Sequence, residues 1–391
     1  MTPDGSTTAT TTPGAAPVLT AVQLRRLTYL PIFDFSAGHG LEIGPLASPI
    51  ADPASADVQF VDIIDRDELV AHFEGDPAVD CDEIPEIHYW LKGPDGIRTL
   101  SEAVAPGAPF DWVVAAHVVE HIPDLVSWFA ELASVLRGGG HVVLTVPDRR
   151  FSFDILRPGT TTGQVLAAHA SADVVPSPRA AFDHFRSHVA FGADRAWEGQ
   201  VPTTEARTYS LEDAREMAQR ATEGEYIDSH VWTFTPSSFV EQIDELGLLG
   251  MIDFTIVDIV PTRRNELEFH VVLERLTTDG DPAAREERRR AGIERARTAL
   301  PREGFPNAVG EAPRPHLADL NLTLEELQEV ASRLREEAAS LREDVAARDD
   351  ELHRLRTAHH DVLASRRWMV GGMVAAPVVA LRRRLRRSSP G

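Results

Sequence analysis

The sequence predicts an α/β fold: a doubly wound, mostly parallel sheet with a closing antiparallel hairpin, followed by a C-terminal coiled-coil helix. Three observations predict it. Between residues 18 and 276, short β-branched runs alternate with segments of helical periodicity. Two late apolar runs, Ile252–Val260 and Leu267–Leu276, flank a polar turn, which is typical of an antiparallel hairpin. Beyond residue 318, ten of twelve successive heptad core positions from Leu324 to Val362 are apolar.

Composition limits the classes of protein that the chain can belong to. Its 391 residues include 39 Lys and Arg against 61 Asp and Glu, giving a formal net charge of -22. Nucleic-acid binding needs clustered cations, so no nucleic-acid partner is expected. The single cysteine, Cys81, excludes an intrachain disulfide and any cysteine-built metal centre. We therefore expect a cytoplasmic protein.

Shifts in composition divide the chain into parts. The first residues are rich in Thr, Ala, Pro and Gly and contain no apolar run, so they predict a disordered leader instead of a signal peptide. No apolar stretch approaches the ~20 residues that span a membrane. In chain order we predict a leader (1–17), an α/β domain (18–276) with an insert (149–229), a charged linker with one helix near Arg285–Thr298 (277–318), a coiled coil (319–364) and a basic tail (365–391).

Within the domain, apolar runs predict strands and capping signals predict helices. Thr235 and Pro236 have the residue types of an N-cap and a first helical residue, opening a helix to Leu246. The helix Leu125–Leu136 is expected to end at Gly138–Gly140. The remaining predicted strands are Leu41–Ile43, Val58–Val61, Ile87–Trp90, Trp112–Ala115 and His141–Val146, and the insert has helical patches at Thr161–Ala170, Arg179–His188 and Leu211–Thr222.

The first segment of chemical interest runs from Gly38 to Pro45. Glu42 and Gly44 end a short strand, and glycine allows a ligand to approach the backbone closely. Asp62 ends the next strand, where a carboxylate can accept both hydroxyl protons of an adenosine ribose. The glycine spacing is one residue too long for a dinucleotide fingerprint, and Pro45 follows where a phosphate-binding helix would need free N–H groups.

A second segment carries a resemblance to a known family. Phe110 and Asp111 enter an apolar strand, and after it come Glu120-His121, a helix and three consecutive glycines, then the run ending at Asp148. Across residues 35–155 the chain resembles class I S-adenosylmethionine-dependent methyltransferases. The long insert and the run His230–Pro236 resemble the members that accompany bacterial glycosyltransferases.

The resemblance implies S-adenosylmethionine as cofactor and O-methylation of a glycan or activated sugar as the reaction. The cofactor contacts would come from Glu42, Gly44, Asp62 and His117. Removal of the hydroxyl proton is assigned to three residues near the strand ends: His121, then His188 and Asp148. Each has a structural alternative; Asp148, for example, could orient an arginine.

The run His117 to His121 also matches the inverted zinc-peptidase motif H-x-x-E-H. That motif needs one uninterrupted helix, and Pro123 prevents it. No metal site is predicted. The minority alternative is a divalent ion held by Glu120 and His121, because some related methyltransferases hold magnesium with acidic and His residues at this place.

The insert is expected to cover the acceptor, since connections of this length are usually functional. Its aromatic and basic residues would suit a sugar with a charged neighbour, or would simply pack a small helical subdomain: Phe151, Phe153, Arg157, Phe185, Arg186 and Trp197.

The C-terminal third predicts partners. The heptads favour self-association through the coiled coil, or a helix that packs on its own domain. The tail has seven arginines, a Trp and no acidic residue, so it is a candidate for peripheral contact with the inner face of a membrane, or a disordered basic end. The resemblance adds a glycosyltransferase partner.

Two other classes remain open: a non-catalytic scaffold with a degenerate methyltransferase fold, and an NAD-dependent nucleotide-sugar oxidoreductase. Calorimetry separates the oxidoreductase from a methyltransferase. We expect purified protein to bind S-adenosylmethionine and to give no heat with NAD; binding of NAD alone would reverse the assignment.

Overall fold

A computed structural model describes residues 21–29, 31–77, 79–93, 96–277 and 281–301. The predicted leader (1–17), coiled coil (319–364) and basic tail (365–391) lie outside the described residues, as do residues 278–280 and 302–318 of the predicted linker. Within the described ranges, no helix combines the length and the apolar character needed to cross a membrane.

Seven of the described strands form one twisted sheet. The strands in chain order are β1 (His39–Ile43), β2 (Asp57–Asp62), β3 (Tyr89–Trp90), β4 (Lys92–Gly93), β5 (Gly96–Ile97), β6 (Phe110–Ala116), β7 (Leu136–Pro147), β8 (Phe254–Val260) and β9 (Glu268–Arg275). Their order in the sheet is β3-β2-β1-β6-β7-β9-β8, and β4 pairs with β5 separately. The first five strands of the sheet are parallel, whereas β9 runs antiparallel to β7 and β8. The predicted parallel sheet with a closing hairpin is confirmed.

Helices cover both faces of this sheet. In chain order they are α1 (Ala21–Tyr29), α2 (Arg66–Phe73), α3 (Leu100–Val104), α4 (Leu125–Val135), α5 (Thr162–Ser171), α6 (Pro178–Ser187), α7 (Ala193–Trp197), α8 (Leu211–Thr222), α9 (Pro236–Leu248) and α10 (Pro282–Ala299). Neighbouring strand residues alternate between two cores: Val113 packs in one with α4 and α9, and Val114 in the other with α1 and α2. Thr235 caps α9 and Pro236 is its first residue, as predicted.

The three glycines after α4 do not end that helix. The helix stops at Val135, and β7 begins at the next residue, Leu136, so Gly138–Gly140 lie within the strand. The pairing of β7 with β6 shifts register between Phe110 and Trp112. A Cβ on Gly140 would lie 3.0 Å from the carbonyl oxygen of Asp111. Glycine is therefore needed to accommodate an irregular strand.

The α/β domain extends beyond residue 276. Helix α10, where the sequence placed one helix in a linker, buries Ile293 and Ala296 in the same core as α4 and α9. Thr255 in β8 donates a hydrogen bond to the carbonyl oxygen of Arg289 at 2.9 Å. The apolar stripe of α10 is short, and its high charge concealed this packing in the sequence.

Gly38 and Gly40 create space for neighbouring side chains instead of a phosphate. A Cβ on Gly40 would lie 2.2 Å from the indole of Trp112, and one on Gly38 would lie 2.3 Å from the carboxylate of Asp111. Both glycines lie at the amino end of β1, away from the edge where a ligand of parallel strands would bind. These contacts do not support a dinucleotide-binding role for Gly38 and Gly40.

We expect Gly40→Ala to lower the free energy of unfolding by about 1–3 kcal/mol, because the added methyl overpacks the buried Trp112. The control is Gly163→Ala in α5, where the nearest atom to a Cβ is Thr161 Oγ1 at 3.9 Å. That change should stabilise the protein by up to about 1 kcal/mol. Urea denaturation measures both, and equal effects would contradict this account of Gly40.

Candidate functional site

The parallel strands end along one edge of the sheet, and three predicted cofactor residues lie there. Ile43 at the end of β1 pairs with Val61 of β2 and with Ala115 of β6. Gly44 follows Ile43, Asp62 follows Val61, and β6 ends just before His117. These residues are therefore neighbours at the edge of the sheet. This is the edge where open α/β sheets bind ligands.

Gly44 turns the chain sharply after β1. Its φ is +64°, a conformation that L side chains rarely adopt, and its N–H donates to the carbonyl oxygen of Val61 at 2.9 Å. A Cβ here would be 3.6 Å from Val118 Cγ2, an ordinary contact. Backbone conformation, more than space, therefore selects glycine, and the turn lies against the segment that follows β6.

Glu42 holds the loop after β1 from within. Its buried carboxylate accepts hydrogen bonds from the N–H groups of Ile50 at 2.7 Å and Ala51 at 3.0 Å. Arg26 on α1 holds the same loop from the other side, donating to the carbonyl oxygens of Ile50 at 2.8 Å and Pro49 at 2.7 Å. Burial raises the pKa of Glu42 to about 7, although both N–H groups and Arg26 oppose this. The sequence predicted a direct cofactor contact, whereas the structure places Glu42 beneath the loop as an anchor.

Asp62 ends β2 with its side chain partly exposed at the edge. Burial raises the pKa of this carboxyl, and the N–H of Ile63 opposes the rise. Two exposed apolar side chains lie nearby: Ile63, 50% exposed, and Trp90, 41% exposed, whose residue pairs with Asp62 across the strands. The sequence analysis identified neither Ile63 nor Trp90. Ile63 could have been found because an apolar residue directly follows the strand-ending Asp62.

The segment after β6 makes a single tight turn. His117 has φ +54°, and Val119–His121 forms one turn of 3₁₀ helix. The zinc-peptidase motif thus lacks the long helix it requires. The Nε2 atom of His117 lies 2.7 Å from Glu268 Oε2, and its Nδ1 lies 3.5 Å from Glu120 Oε1. The structure therefore pairs His117, a predicted cofactor contact, with two carboxylates.

A distant segment docks on this turn. The N–H groups of Val231 and Trp232 both donate to the carbonyl oxygen of Glu120, at 2.7 and 3.1 Å. The Trp232 indole N–H donates to the carbonyl oxygen of Ile122 at 2.6 Å. These bonds place His230 beside Glu120 and His121, across a separation of more than one hundred residues. No local pattern in the sequence connects them.

Together Glu120, His121 and His230 form a group that we call the Glu–His cluster. Glu120 is fully buried, and neither carboxylate oxygen has a hydrogen-bond partner among the described residues. Its Oε1 lies 4.0 Å from His121 Nε2 and 3.9 Å from His230 Nε2. One ligand atom of each residue lies within 4.8 Å of the others, so the group could hold a metal ion.

Further carboxylates lie beside the two imidazoles. Asp154 Oδ2 lies 2.5 Å from His230 Nδ1, and Asp228 Oδ1 lies 2.9 Å from His121 Nδ1. Burial disfavours ionised Asp154, but the hydrogen bond from His230 and the charge of Arg157 prevail and lower its pKa to about 2. Burial lowers the pKa of His121, but the neighbouring Asp228 and Glu120 carboxylates outweigh it, and the net shift is upward.

His184 supports the cluster in its neutral form. Its Nδ1 accepts the backbone N–H of His230 at 3.1 Å, which requires an unprotonated nitrogen. Burial lowers the pKa of His184 to about 3.

The other two predicted proton acceptors have different partners. Asp148 is fully buried, binds Arg150 at 2.6 Å and accepts a hydrogen bond from Thr262 at 2.7 Å. Orienting an arginine was the structural alternative for Asp148. His188 lies 2.9 Å from Thr208 Oγ1 and stacks on Phe153 with ring centroids 4.5 Å apart. Only His121 of the three belongs to the Glu–His cluster.

Most of the aromatic and basic residues singled out in the insert serve packing. Phe151 stacks on Trp197 at 4.0 Å, and Phe185 joins a small core beneath α6 and α8. Arg157 is buried and donates to Asp154 at 3.0 Å and to the carbonyl oxygen of His230 at 2.8 Å. The insert therefore supports the cluster through Arg157 and Asp154.

Comparison with known proteins identifies the family. A family model described as a methyltransferase domain matches residues 25–249, more than half of the chain. The chain belongs to this family. It is an S-adenosylmethionine-dependent methyltransferase, which confirms the predicted enzyme class and cofactor.

Solved structures of other methyltransferases resemble the chain at low identity. An S-adenosylmethionine-dependent methyltransferase from Mesorhizobium loti is 15% identical over 66% of this chain and 98% of its own, with a TM-score of 0.32. The CcbJ methyltransferase from Streptomyces caelestis is 10% identical over 64% and 93%, with a TM-score of 0.32. Magnesium protoporphyrin IX methyltransferase from Synechocystis PCC 6803 is 12% identical over 67% and 90%, with a TM-score of 0.29. None of the curated proteins compared with the chain matches it.

The raised pKa of Glu42 predicts a pH dependence of stability. Between pH 4.5 and about 7 the folded protein retains a proton on Glu42 that the unfolded chain releases, so this contribution falls as the pH rises and is constant above about pH 7. Glu42→Gln cannot titrate. Over that window the difference in unfolding free energy between wild type and variant should change by up to about 3 kcal/mol.

Urea denaturation across this pH range measures the difference. Glu86→Gln, at an exposed position, is the control and should follow the wild type in parallel. If the unfolding free energies of wild type and Glu42→Gln change in parallel with pH, burial does not raise the pKa of Glu42.

Proposed function

We propose that this methyltransferase transfers the methyl group of S-adenosylmethionine to a hydroxyl of a glycan or an activated sugar. The observation that carries the proposal is the Glu–His cluster, directly after β6 and beside the edge that bears Gly44 and Asp62. The methyl group of a sulfonium is already activated, whereas a hydroxyl acceptor must lose its proton. A carboxylate with imidazoles at the reaction edge suits that requirement.

The cofactor would lie across the ends of β1 and β2. Asp62 would accept hydrogen bonds from the ribose hydroxyls, and the turn at Gly44 would let the ligand approach the backbone. The exposed side chains of Ile63 and Trp90 would cover the apolar face of adenine. Glu42 and Arg26 would act indirectly, by holding the loop after β1 in place.

The reaction itself is a displacement in line. The acceptor oxygen bonds to the methyl carbon while the carbon–sulfur bond breaks, and the bonding electron pair remains on sulfur. The products are S-adenosylhomocysteine and a methyl ether, and the hydroxyl proton is lost to solvent at the Glu–His cluster. The protein contributes alignment and exclusion of water.

A sugar acceptor agrees with the polar groups around the cluster. Asp228, whose side chain is 74% exposed, and the imidazole of His188 can accept or donate hydrogen bonds with hydroxyls. The glycan assignment also rests on the likeness to glycosyltransferase-associated chains. A glycosyltransferase partner, self-association through the coiled coil and membrane contact by the basic tail belong to the same proposal.

Calorimetry with S-adenosylhomocysteine tests the cofactor site. Asp62→Ala should weaken binding by about ten- to a hundredfold, because hydrogen bonds to a charged group are lost. Asp57→Ala, at the opposite end of the same strand, is the matched control and should bind as the wild type does. Equal affinity of Asp62→Ala and wild type would remove Asp62 from the cofactor site.

Mass spectrometry of cell-surface glycans with and without the gene tests the acceptor. We expect loss of one methyl group from each acceptor, restored by the wild-type gene and not by the gene encoding Asp62→Ala. Unchanged glycans in both strains would contradict the glycan assignment while leaving the enzyme class intact.

A further inference from the structure

Among the described residues the buried Glu120 carboxylate has only ion-pair contacts with imidazoles, the closest being His117 Nδ1 at 3.5 Å. It is fully buried, and within the described part of the chain neither oxygen accepts a hydrogen bond. Buried carboxylates are ordinarily paired, hydrogen-bonded or bound to a metal. The nearest Nε2 atoms, at 3.9 and 4.0 Å, are beyond hydrogen-bond distance.

Both imidazoles of the cluster are oriented as metal ligands are. Each has its Nδ1 atom beside a carboxylate, Asp154 for His230 and Asp228 for His121. A proton held on Nδ1 leaves the lone pair of Nε2 available, and both Nε2 atoms face Glu120. This carboxylate–histidine arrangement is the usual outer support of metal-binding histidines, because it sets the tautomer and the ring orientation.

We propose that Glu120, His121 and His230 bind a divalent cation through one carboxylate oxygen and two Nε2 atoms. The separations around Glu120 are compatible with ligand bonds of about 2.0–2.2 Å to a central ion. Asp154, hydrogen-bonded to His230 Nδ1, is a positioning residue for that imidazole, and Asp228 makes an ion-pair contact with His121 Nδ1 at 2.9 Å. His117, whose Nδ1 lies 3.5 Å from Glu120 Oε1, also faces the carboxylate while bound to Glu268.

The donor set selects the class of ion. Magnesium and calcium prefer sites made of oxygen atoms, whereas imidazole favours first-row transition metals and zinc. Two imidazoles and one carboxylate leave coordination positions open, as catalytic zinc sites do. We therefore expect Zn²⁺, Mn²⁺ or Co²⁺ to bind in preference to Mg²⁺.

The role of the ion rests on the proposed function, although its binding does not. A hydroxyl that occupies an open position becomes more acidic, loses its proton to water and attacks the methyl carbon as the carbon–sulfur bond breaks. Under this assignment His121 is a ligand and not the proton acceptor that the sequence suggested.

The test is calorimetry of the full chain, freed of metal by a chelator, with zinc, manganese, cobalt and magnesium chlorides. The sequence has 15 histidines, so the comparison of variants decides the result. His121→Gln and Glu120→Gln should abolish one transition-metal site. Asp228→Asn should weaken it about ten- to a hundredfold while leaving the ligands present.

The chain supplies a matched control pair at the opposite edge of the sheet. His39 Nδ1 lies 3.0 Å from Asp57 Oδ2, and the exposures of these side chains, 29% and 74%, equal those of His121 and Asp228. His39→Gln and Asp57→Asn should bind metal as the wild type does. The visible spectrum of bound Co²⁺ should change in His121→Gln and stay as in the wild type in His39→Gln.

Several results would overturn the proposal: no transition-metal site in the wild type, an unchanged site in His121→Gln, or equal losses in the control pair. Because Glu120 is buried, Glu120→Gln could fail to fold, and the exposed Asp228→Asn then carries the test. S-adenosylhomocysteine binding is measured in the same samples. Absence of metal binding in the wild type, with cofactor binding present, would reject the metal site and leave the proposed function standing.

Discussion

The docking of one short segment on the turn after β6 is the constraint on which the site depends. A single carbonyl oxygen, that of Glu120, accepts two N–H groups from Val231 and Trp232. The Trp232 indole makes a third bond to the same turn. These bonds join the end of the insert to the centre of the parallel sheet. Without them His230 would have no fixed relation to Glu120, and the buried carboxylate would face only the imidazoles of its own turn.

The insert has a supporting role around that junction. Asp154 and Arg157 come from its start, and His184 comes from α6. All three contact His230, by its side chain or its backbone, and all three are buried. Arg157 balances the charge of Asp154, and neutral His184 supplies an acceptor without adding charge. The insert thus orders the ring of His230 through a buried polar network, which is rigid when each member has a partner.

The cofactor edge depends on a different device. Glu42 and Arg26 grip the loop after β1 by four hydrogen bonds, so the open rim at Gly44 and Asp62 is backed by a fixed loop. Glu42, near the end of β1, therefore influences this edge indirectly, by holding the backbone of the loop in place. The partial exposure of Asp62, Ile63 and Trp90 at the rim leaves polar and apolar groups side by side for a nucleoside.

The sequence by itself determined the mostly parallel sheet and its closing hairpin. Strand periodicity, the capping box at Thr235 and the strand-ending positions of Gly44 and Asp62 are local properties, so they can be read from neighbouring residues. The packing of α10 and the irregular start of β7 were not visible in this way, because both depend on what the rest of the fold presents to them.

Only the tertiary structure decided which partner each polar side chain contacts. It places His230 beside Glu120 and His121, hydrogen-bonds Glu42 to the loop after β1, and pairs Asp148 with Arg150. Each outcome depends on contacts between residues far apart in the chain. Hydrogen bonds and ion pairs act over a few ångströms, so which of fifteen histidines lies beside a buried carboxylate is settled by the path of the backbone and not by sequence spacing.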